Sequence, residues 1–173
     1  FCDVFVEKGD KVHFEGLIEG RGDKGDYEIL SDIDGESLRI EVKRNKRSGN
    51  WGWNSNLRTK LELTLPTNTD LTIDNSSGDI KIYGVSANNI RIDVTSGDLQ
   101  MEKVTADLDI ESTSGDMEIE DVKGDILSSS TSGDQSIRGV IGDVAVDASS
   151  GDIEIVEFEG KAEVRTTSGE IYA

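Results

Sequence analysis

The sequence predicts an all-β fold, a parallel β-helix or β-solenoid of about 18 residues per coil, and three observations carry that prediction. First, Ser77-Gly78-Asp79, Ser96-Gly97-Asp98, Ser114-Gly115-Asp116, Ser132-Gly133-Asp134, Ser150-Gly151-Asp152 and Ser168-Gly169-Glu170 recur at one interval of 19 and then four of 18 residues. Second, a weaker turn falls halfway along each later interval, at Gly124-Asp125, Gly142-Asp143 and Gly160-Lys161, with Ala106-Asp107 in the equivalent place one coil earlier. Third, apolar and polar residues alternate between the turns, the two-residue period of half-buried strands. A strand-turn-strand-turn unit of this size buries its apolar edge only when copies stack. Turns every nine residues separate the pattern from a left-handed helix of hexapeptides, and the general handedness of parallel crossovers favours right-handed winding.

Residues 1–60 form the irregular start of the same domain. Val4 and Val6, Val12 and Phe14, Tyr27 and Ile29, then Leu38, Ile40 and Val42 read as short strands. Gly9-Asp10, the run from Gly20 to Asp26, and Asp34-Gly35 punctuate them as turns. They are expected to form irregular first coils or a strand-rich cap. Residues 43–60 break the pattern: Lys43, Arg44, Lys46, Arg47, Arg58 and Lys60 stand there without an acid, around the two tryptophans, Trp51 and Trp53. Basic side chains interleaved with Trp suit an anionic membrane surface or a glycan. They equally suit a hairpin whose rings cover the core edge and whose cations face the acidic coils.

Residues 61–173 form the regular array. Leu61, Leu63 and Leu65 make one strand, Pro66 to Thr69 a turn, and Leu71 and Ile73 the return strand. Subtracting 19 from Ile80, Ile82, Ile90 and Ile92 lands on Leu61, Leu63, Leu71 and Ile73, which predicts the same coil one floor earlier. Six inward columns follow. On one side run Ile80 to Ile171, Ile82 to Ala173 and Val85 to Phe158; on the other, Ile90 to Ala162, Ile92 to Val164 and Val94 to Thr166.

The corners explain the tripeptide. Gly permits a tight corner, and the flanking Ser and Asp can bond backbone N–H groups there. Stacking then places Asp79, Asp98, Asp116, Asp134, Asp152 and Glu170 in one ladder and Asp107, Asp125 and Asp143 in a second, about 5 Å apart. Like charges that close repel unless hydrogen-bonded, screened or bridged by a cation, so structural Ca²⁺ is one reading of the ladders. The extra glycines of calcium β-roll repeats are absent, and the expectation is no cofactor. Clustered carboxylates such as Asp107 with Asp109 also evoke polysaccharide-acting β-helix enzymes. Yet an active site should break the repeat with unusual residues, and His13 and Cys2 have no evident partner, so no catalytic residue is expected.

Net charge is −18, of which −17 lies in residues 61–173, and this argues against nucleic acid as a partner. Cys2, the single cysteine, does not fix the redox compartment. No apolar run is long enough to span a bilayer and no signal peptide is visible. The reading is of a fragment whose address or anchor lies outside it. At the other end Ile171 begins a coil that Ala173 leaves unfinished, an edge that a further segment, a partner or a second copy would cover.

Leu61-Glu-Leu-Thr-Leu-Pro66, then the run from Leu71 to Ile80 with its Ser-Ser-Gly-Asp, and the serial Ser-Gly-Asp coils after it resemble the bacterial putative adhesin domain family over residues 35–173. The resemblance implies a β-helical protein of the bacterial cell envelope or surface, in some members linked with envelope stress; it supplies no catalytic residues. The function expected is a non-enzymatic interaction module, binding an envelope protein, a glycan or an anionic membrane, with Trp51, Trp53, Lys43, Arg44, Lys46 and Arg47 as candidate contacts. A regulatory envelope-stress domain docking to a partner protein is the alternative, and a polysaccharide-acting enzyme the third.

Overall fold

The structure, a computed structural model, describes the backbone of residues 2–21, 27–34, 37–44 and 56–173, and the side chains of residues 2–13, 15 and 60–173. Among these, sixteen strands and no helix are found. They run β1 (Cys2–Lys8), β2 (His13–Arg21), β3 (Tyr27–Asp34), β4 (Ser37–Arg44), β5 (Asn56–Leu65), β6 (Asp70–Asn75), β7 (Ile80–Tyr83), β8 (Ser86–Ser96) and β9 (Leu99–Ser114). The regular coils continue through β10 (Met117–Lys123), β11 (Ile126–Ser132), β12 (Gln135–Ile141), β13 (Val144–Ser150), β14 (Ile153–Glu159), β15 (Ala162–Ser168) and β16 (Ile171–Tyr172).

Parallel pairing one coil apart sorts these strands into two faces. The first runs β2-β5-β1-β7-β9-β10-β12-β14-β16 and the second β3-β4-β6-β8-β9-β11-β13-β15. Strand β9 belongs to both, pairing β10 through Leu99–Thr105 and β11 through Leu108–Ser114. The register is the one the repeat dictates: Ile80 opposes Leu99, Leu99 Met117, Met117 Gln135, Gln135 Ile153, and Ile153 Ile171. Side chains of these columns fill the space between the faces, from Val4 and Leu61 at one end to Ile153 and Ile155 at the other, each at most 3% exposed. Each large aliphatic side chain among them contributes roughly 1.5–3 kcal/mol by leaving water.

Two kinds of corner make the coil. At Ser-Gly-Asp the glycine holds a φ that only glycine adopts with ease, for example +125° at Gly115. The bend within the first face is made instead by a left-handed residue after the second inward side chain. Gly84, Lys103, Asp121, Gly139 and Glu157 occupy it in successive coils, with φ between 53° and 68°. Three of the five carry a side chain, at a cost of roughly 1–2 kcal/mol each relative to an ordinary conformation.

The start of the array departs from the spacing. On the second face β6 lies directly beside β8, with Leu71 opposite Ile90. On the first face β5 does not pair with β7. Strand β1 lies between them, Val4 opposing Leu61 on one side and Ile80 on the other. The coil from Leu61 is therefore in the predicted column but two strands from Ile80. Cys2, Val4 and Val6 have the alternation a core strand needs and take the intervening row, which a 19-residue subtraction could not reveal because they arrive from 76 residues upstream of Ile80. The end of the stack closes with antiparallel partners, β2 against β5 and β3 against β4.

One rung of the core is polar. Gln135 replaces the aliphatic residue of its column and is 1% exposed. The Ser128 hydroxyl lies 2.8 Å from its Oε1, and its Nε2 donates to Ser130 Oγ at 2.9 Å. The adjacent Ser112 hydroxyl is buried without a partner.

Candidate binding groove

The aspartates that look most like chemistry serve the backbone. Asp79 Oδ1 accepts the N–H of Asp98 at 3.1 Å, Asp98 that of Asp116 at 3.0 Å, and Asp116 that of Asp134 at 2.9 Å. Asp134 and Asp152 continue the ladder, each at 2.8 Å, to Asp152 and Glu170. The half-coil corners repeat the device, Asp107 to Asp125 at 3.0 Å, Asp125 to Asp143 at 2.8 Å and Asp143 to Lys161 at 2.9 Å. A corner turns its N–H groups out of the sheet ladder, and an acceptor from the coil below satisfies them. Even the first rung is made this way, by Asp3 Oδ1 on the N–H of Asp79. Among the described residues no three His, Cys, Asp or Glu side chains converge as a metal site would need.

Beside the Ser-Gly-Asp ladder the outward residues of the first face form a second row, Lys81, Gln100, Glu118, Ser136, Glu154 and Tyr172. Between the two rows lies an open groove of about 680 Å³ that crosses the coils, lined by seven carboxylates and one ammonium. The carboxylates are Asp79, Asp98, Asp116, Asp134, Asp152, Glu118 and Glu154. Inside it, Gln100 Nε2 donates to Glu118 Oε2 at 3.0 Å. At its far end the Tyr172 hydroxyl bonds the Glu170 carboxylate, which raises the phenol's pKa above its usual value.

A basic and aromatic cluster stands near the opening coils. Lys60 Nζ lies 4.6 Å from the Phe5 ring centroid, and Lys103 Nζ lies 4.9 Å from that of Tyr83. Hydrogen bonds to Glu102 and then Tyr83 push the Lys103 pKa up. Cys2 is buried between β5 and the Ser77-Gly78 corner, and burial pushes its thiol to about 11. His13 opposes Thr64 on β5, with β5 and β1 between it and the groove.

Of the residues singled out from the sequence, Lys43 and Arg44 lie on β4, opposite Glu28 and Tyr27 of β3. Their side chains, and all of Lys46, Arg47, Trp51 and Trp53, lie outside the described residues. The groove has no motif in the sequence, because its outer row is of mixed polar residues. The signal was the alternation: the residue after each first inward column position must face out beside the Asp ladder.

The family model for Toastrack DUF4097 matches residues 2–173. The chain belongs to the Toastrack DUF4097 family. This is the bacterial β-helical family to which the Leu61–Pro66 strand and the Ser-Gly-Asp series pointed. The family description names no catalytic activity. Among solved structures, this Toastrack chain resembles a putative cell adhesion protein from Clostridium sporogenes ATCC 15579 with 10% identity and a TM-score of 0.36, over 98% of this chain and 86% of that one. Similarity at that level carries no inference about function. No curated protein matches the sequence. Among the described residues no helix is long and apolar enough to cross a membrane.

Proposed function

We propose that this Toastrack domain is a non-enzymatic interaction module of the bacterial cell envelope or surface, the setting its family resemblance implies, and that its first face docks an extended basic segment of a partner protein. The groove carries the reading: it offers seven carboxylates against one ammonium along a rigid row of coils. Fields from such a row add, raising the local concentration of a cationic ligand and favouring its encounter. Non-catalysis is supported by the employment of the ladder aspartates as backbone acceptors and by the distance of the histidine in sheet order. An anionic membrane is repelled by this face, so contact with lipid or an anionic glycan would fall to the basic segment around Trp51 and Trp53.

The test is binding of a short alternating Lys-Gly peptide by fluorescence anisotropy. Glu118→Lys/Glu154→Lys places the charge change in the groove; Asp93→Lys/Asp147→Lys makes the same change on the second face. The expected result is a Kd raised at least about tenfold by the first pair and less than about threefold by the second. Equal effects of the two pairs would show general attraction to an acidic protein and remove the groove from the proposal.

A further inference from the structure

Two aromatic side chains break the repeat on the outward surface of the first face. The register sets Phe5 opposite Lys81 and Glu7 opposite Tyr83, then Lys81 opposite Gln100 and Tyr83 opposite Glu102. In the coils from β9 to β14 the same two outward columns hold no aromatic residue. Phe5 is half-buried and Tyr83 is 48% exposed, and both lie on regular strand. Where an otherwise consistent pattern breaks without backbone strain, function is the usual reason. Strand β1 is paired on both sides, so this surface lies within the sheet and not at its edge.

The side chains of β1, β7 and β9 surround an open cavity of about 210 Å³, lined by Phe5, Glu7, Lys81, Tyr83, Gln100 and Glu102. It is smaller than the roughly 300 Å³ at which sites for drug-sized ligands begin, and suits a single ring. Its polar groups are unspent. Among the described residues Glu7 and Lys81 hold no ion pair, and Gln100, which gives its Nε2 to Glu118, keeps its amide oxygen. Tyr83 is held in place, because Lys103 Nζ donates to its hydroxyl at 3.0 Å and to Glu102 Oε1 at 2.6 Å. That ammonium is much nearer the hydroxyl than the ring centroid, 4.9 Å away, so it stands at the hydroxyl end and leaves the ring face open. Phe5, by contrast, has Lys60 Nζ 4.6 Å from its centroid and serves as a wall.

We propose that this cavity binds one pyranose ring of a neutral, β-linked glycan, stacked on Tyr83. Glu7 and Glu102 stand against Lys81 and Lys103, so the local charges cancel. A charged ligand gains no net attraction there, whereas a polyhydroxylated neutral one finds acceptors and donors together. In β-glucose and its 2-acetamido derivative every ring substituent is equatorial, so each face of the ring presents only C–H bonds. Such a face lies flat on a π-system, whose negative surface attracts the slightly positive C–H groups. Around it Glu7 and the Gln100 oxygen accept from sugar hydroxyls, and Lys81 donates to them. The site shares Lys81 and Gln100 with the acidic groove but does not depend on a basic ligand there.

Amide chemical-shift titration of the 173-residue chain with cellotetraose and with chitotetraose tests this. At least one of them is expected to shift the amides of β1, β7 and β9 with a Kd on the order of 1 mM. Because the ligand is neutral, raising NaCl from about 50 to about 500 mM should leave that Kd unchanged, unlike the affinity of a basic peptide for the groove. Tyr83→Ala should weaken binding at least about tenfold and Glu7→Ala at least about threefold, while Tyr83→Phe, which keeps the ring, should stay within about threefold of wild type. Unchanged far-UV circular dichroism of the variants establishes that the fold is intact. No shift with either sugar at about 10 mM, or a Tyr83→Ala protein that binds as wild type does, would overturn the proposal. Neither result touches the groove, whose test uses a basic peptide.

Discussion

Replacing Gly115 and Gly84 by alanine separates two reasons for glycine in one molecule. A Cβ on Gly115 would stand 2.0 Å from the carbonyl oxygen and 2.6 Å from the carbonyl carbon of Gly97 in the coil below. Both atoms are backbone within a stacked ladder, so relief requires the coils to part at that corner, where the Asp116 N–H donates to Asp98 Oδ1 across them. The φ of +125° adds strain that an alanine cannot relax. Overpacking and backbone strain cost about 1–3 kcal/mol each, which gives roughly 3–5 kcal/mol for Gly115→Ala. At Gly84 a Cβ meets nothing within 4 Å and φ is +67°, the ordinary left-handed region, so Gly84→Ala should cost about 1 kcal/mol. Thermal unfolding followed by far-UV circular dichroism should show Gly115→Ala melting about 8 °C or more below wild type and Gly84→Ala about 3 °C below. Equal losses, or a Gly115→Ala protein as stable as Gly84→Ala, would refute the claim that close coil-to-coil approach is what the Ser-Gly-Asp glycine provides.

Other consequences follow from the same packing. Asp121→Gly releases a side chain held at φ 53° and should raise stability by about 0.5–1 kcal/mol in guanidinium titrations, the reverse of the usual effect of glycine in a strand. Gln135→Ile strands the hydroxyls of Ser128 and Ser130 and should cost about 1–3 kcal/mol, a loss that Ser128→Val added to it should partly recover. The Cys2 thiol stays neutral in the folded state up to about 11 against an ordinary 9.0, whereas the unfolded chain ionises earlier. The folded state therefore binds the proton more tightly, and stability should fall as pH rises from about 9 to 11, a decline that Cys2→Ala makes shallower. Thiol labelling at pH 8 should proceed only as fast as β1 leaves its place between β5 and β7, read by mass spectrometry against an unfolded control.

The regular coils were legible in the sequence because their contacts repeat: one period fixes which residues face inward, and the register from Ile80 to Ile171 is that arithmetic made physical. The left-handed bend at Lys103, Asp121 and Glu157 was legible only as a two-residue step, since nothing in those side chains advertises a positive φ. The place of β1 was not legible. Its apolar alternation marks a strand, but a partner 76 residues away leaves no periodic trace, and the neat match of Leu61 with Ile80 concealed the row between them. The groove was hidden for another reason. Its carboxylates appear in the sequence as turn residues, and only the stacking shows that a turn repeated in every coil becomes a wall. The basic segment is conspicuous in the sequence because it breaks the repeat.

The recurring aspartate serves as a backbone acceptor, held by that bond as one wall of the groove, and does not hold a cation. Asp116 tests this directly: its Oδ1 accepts the Asp134 N–H and its own N–H donates to Asp98. Asparagine keeps the oxygen and removes a charge from a like-charged row, so Asp116→Asn should match wild type or exceed it by up to about 0.5 kcal/mol, while Asp116→Ala should lose about 1 kcal/mol. Measured by thermal unfolding with added Ca²⁺ and with EDTA, the three proteins should keep that order in both conditions. An Asp116→Asn protein as unstable as Asp116→Ala, with a wild-type melting point that Ca²⁺ raises and the asparagine removes, would contradict the account and make the ladder a cation site.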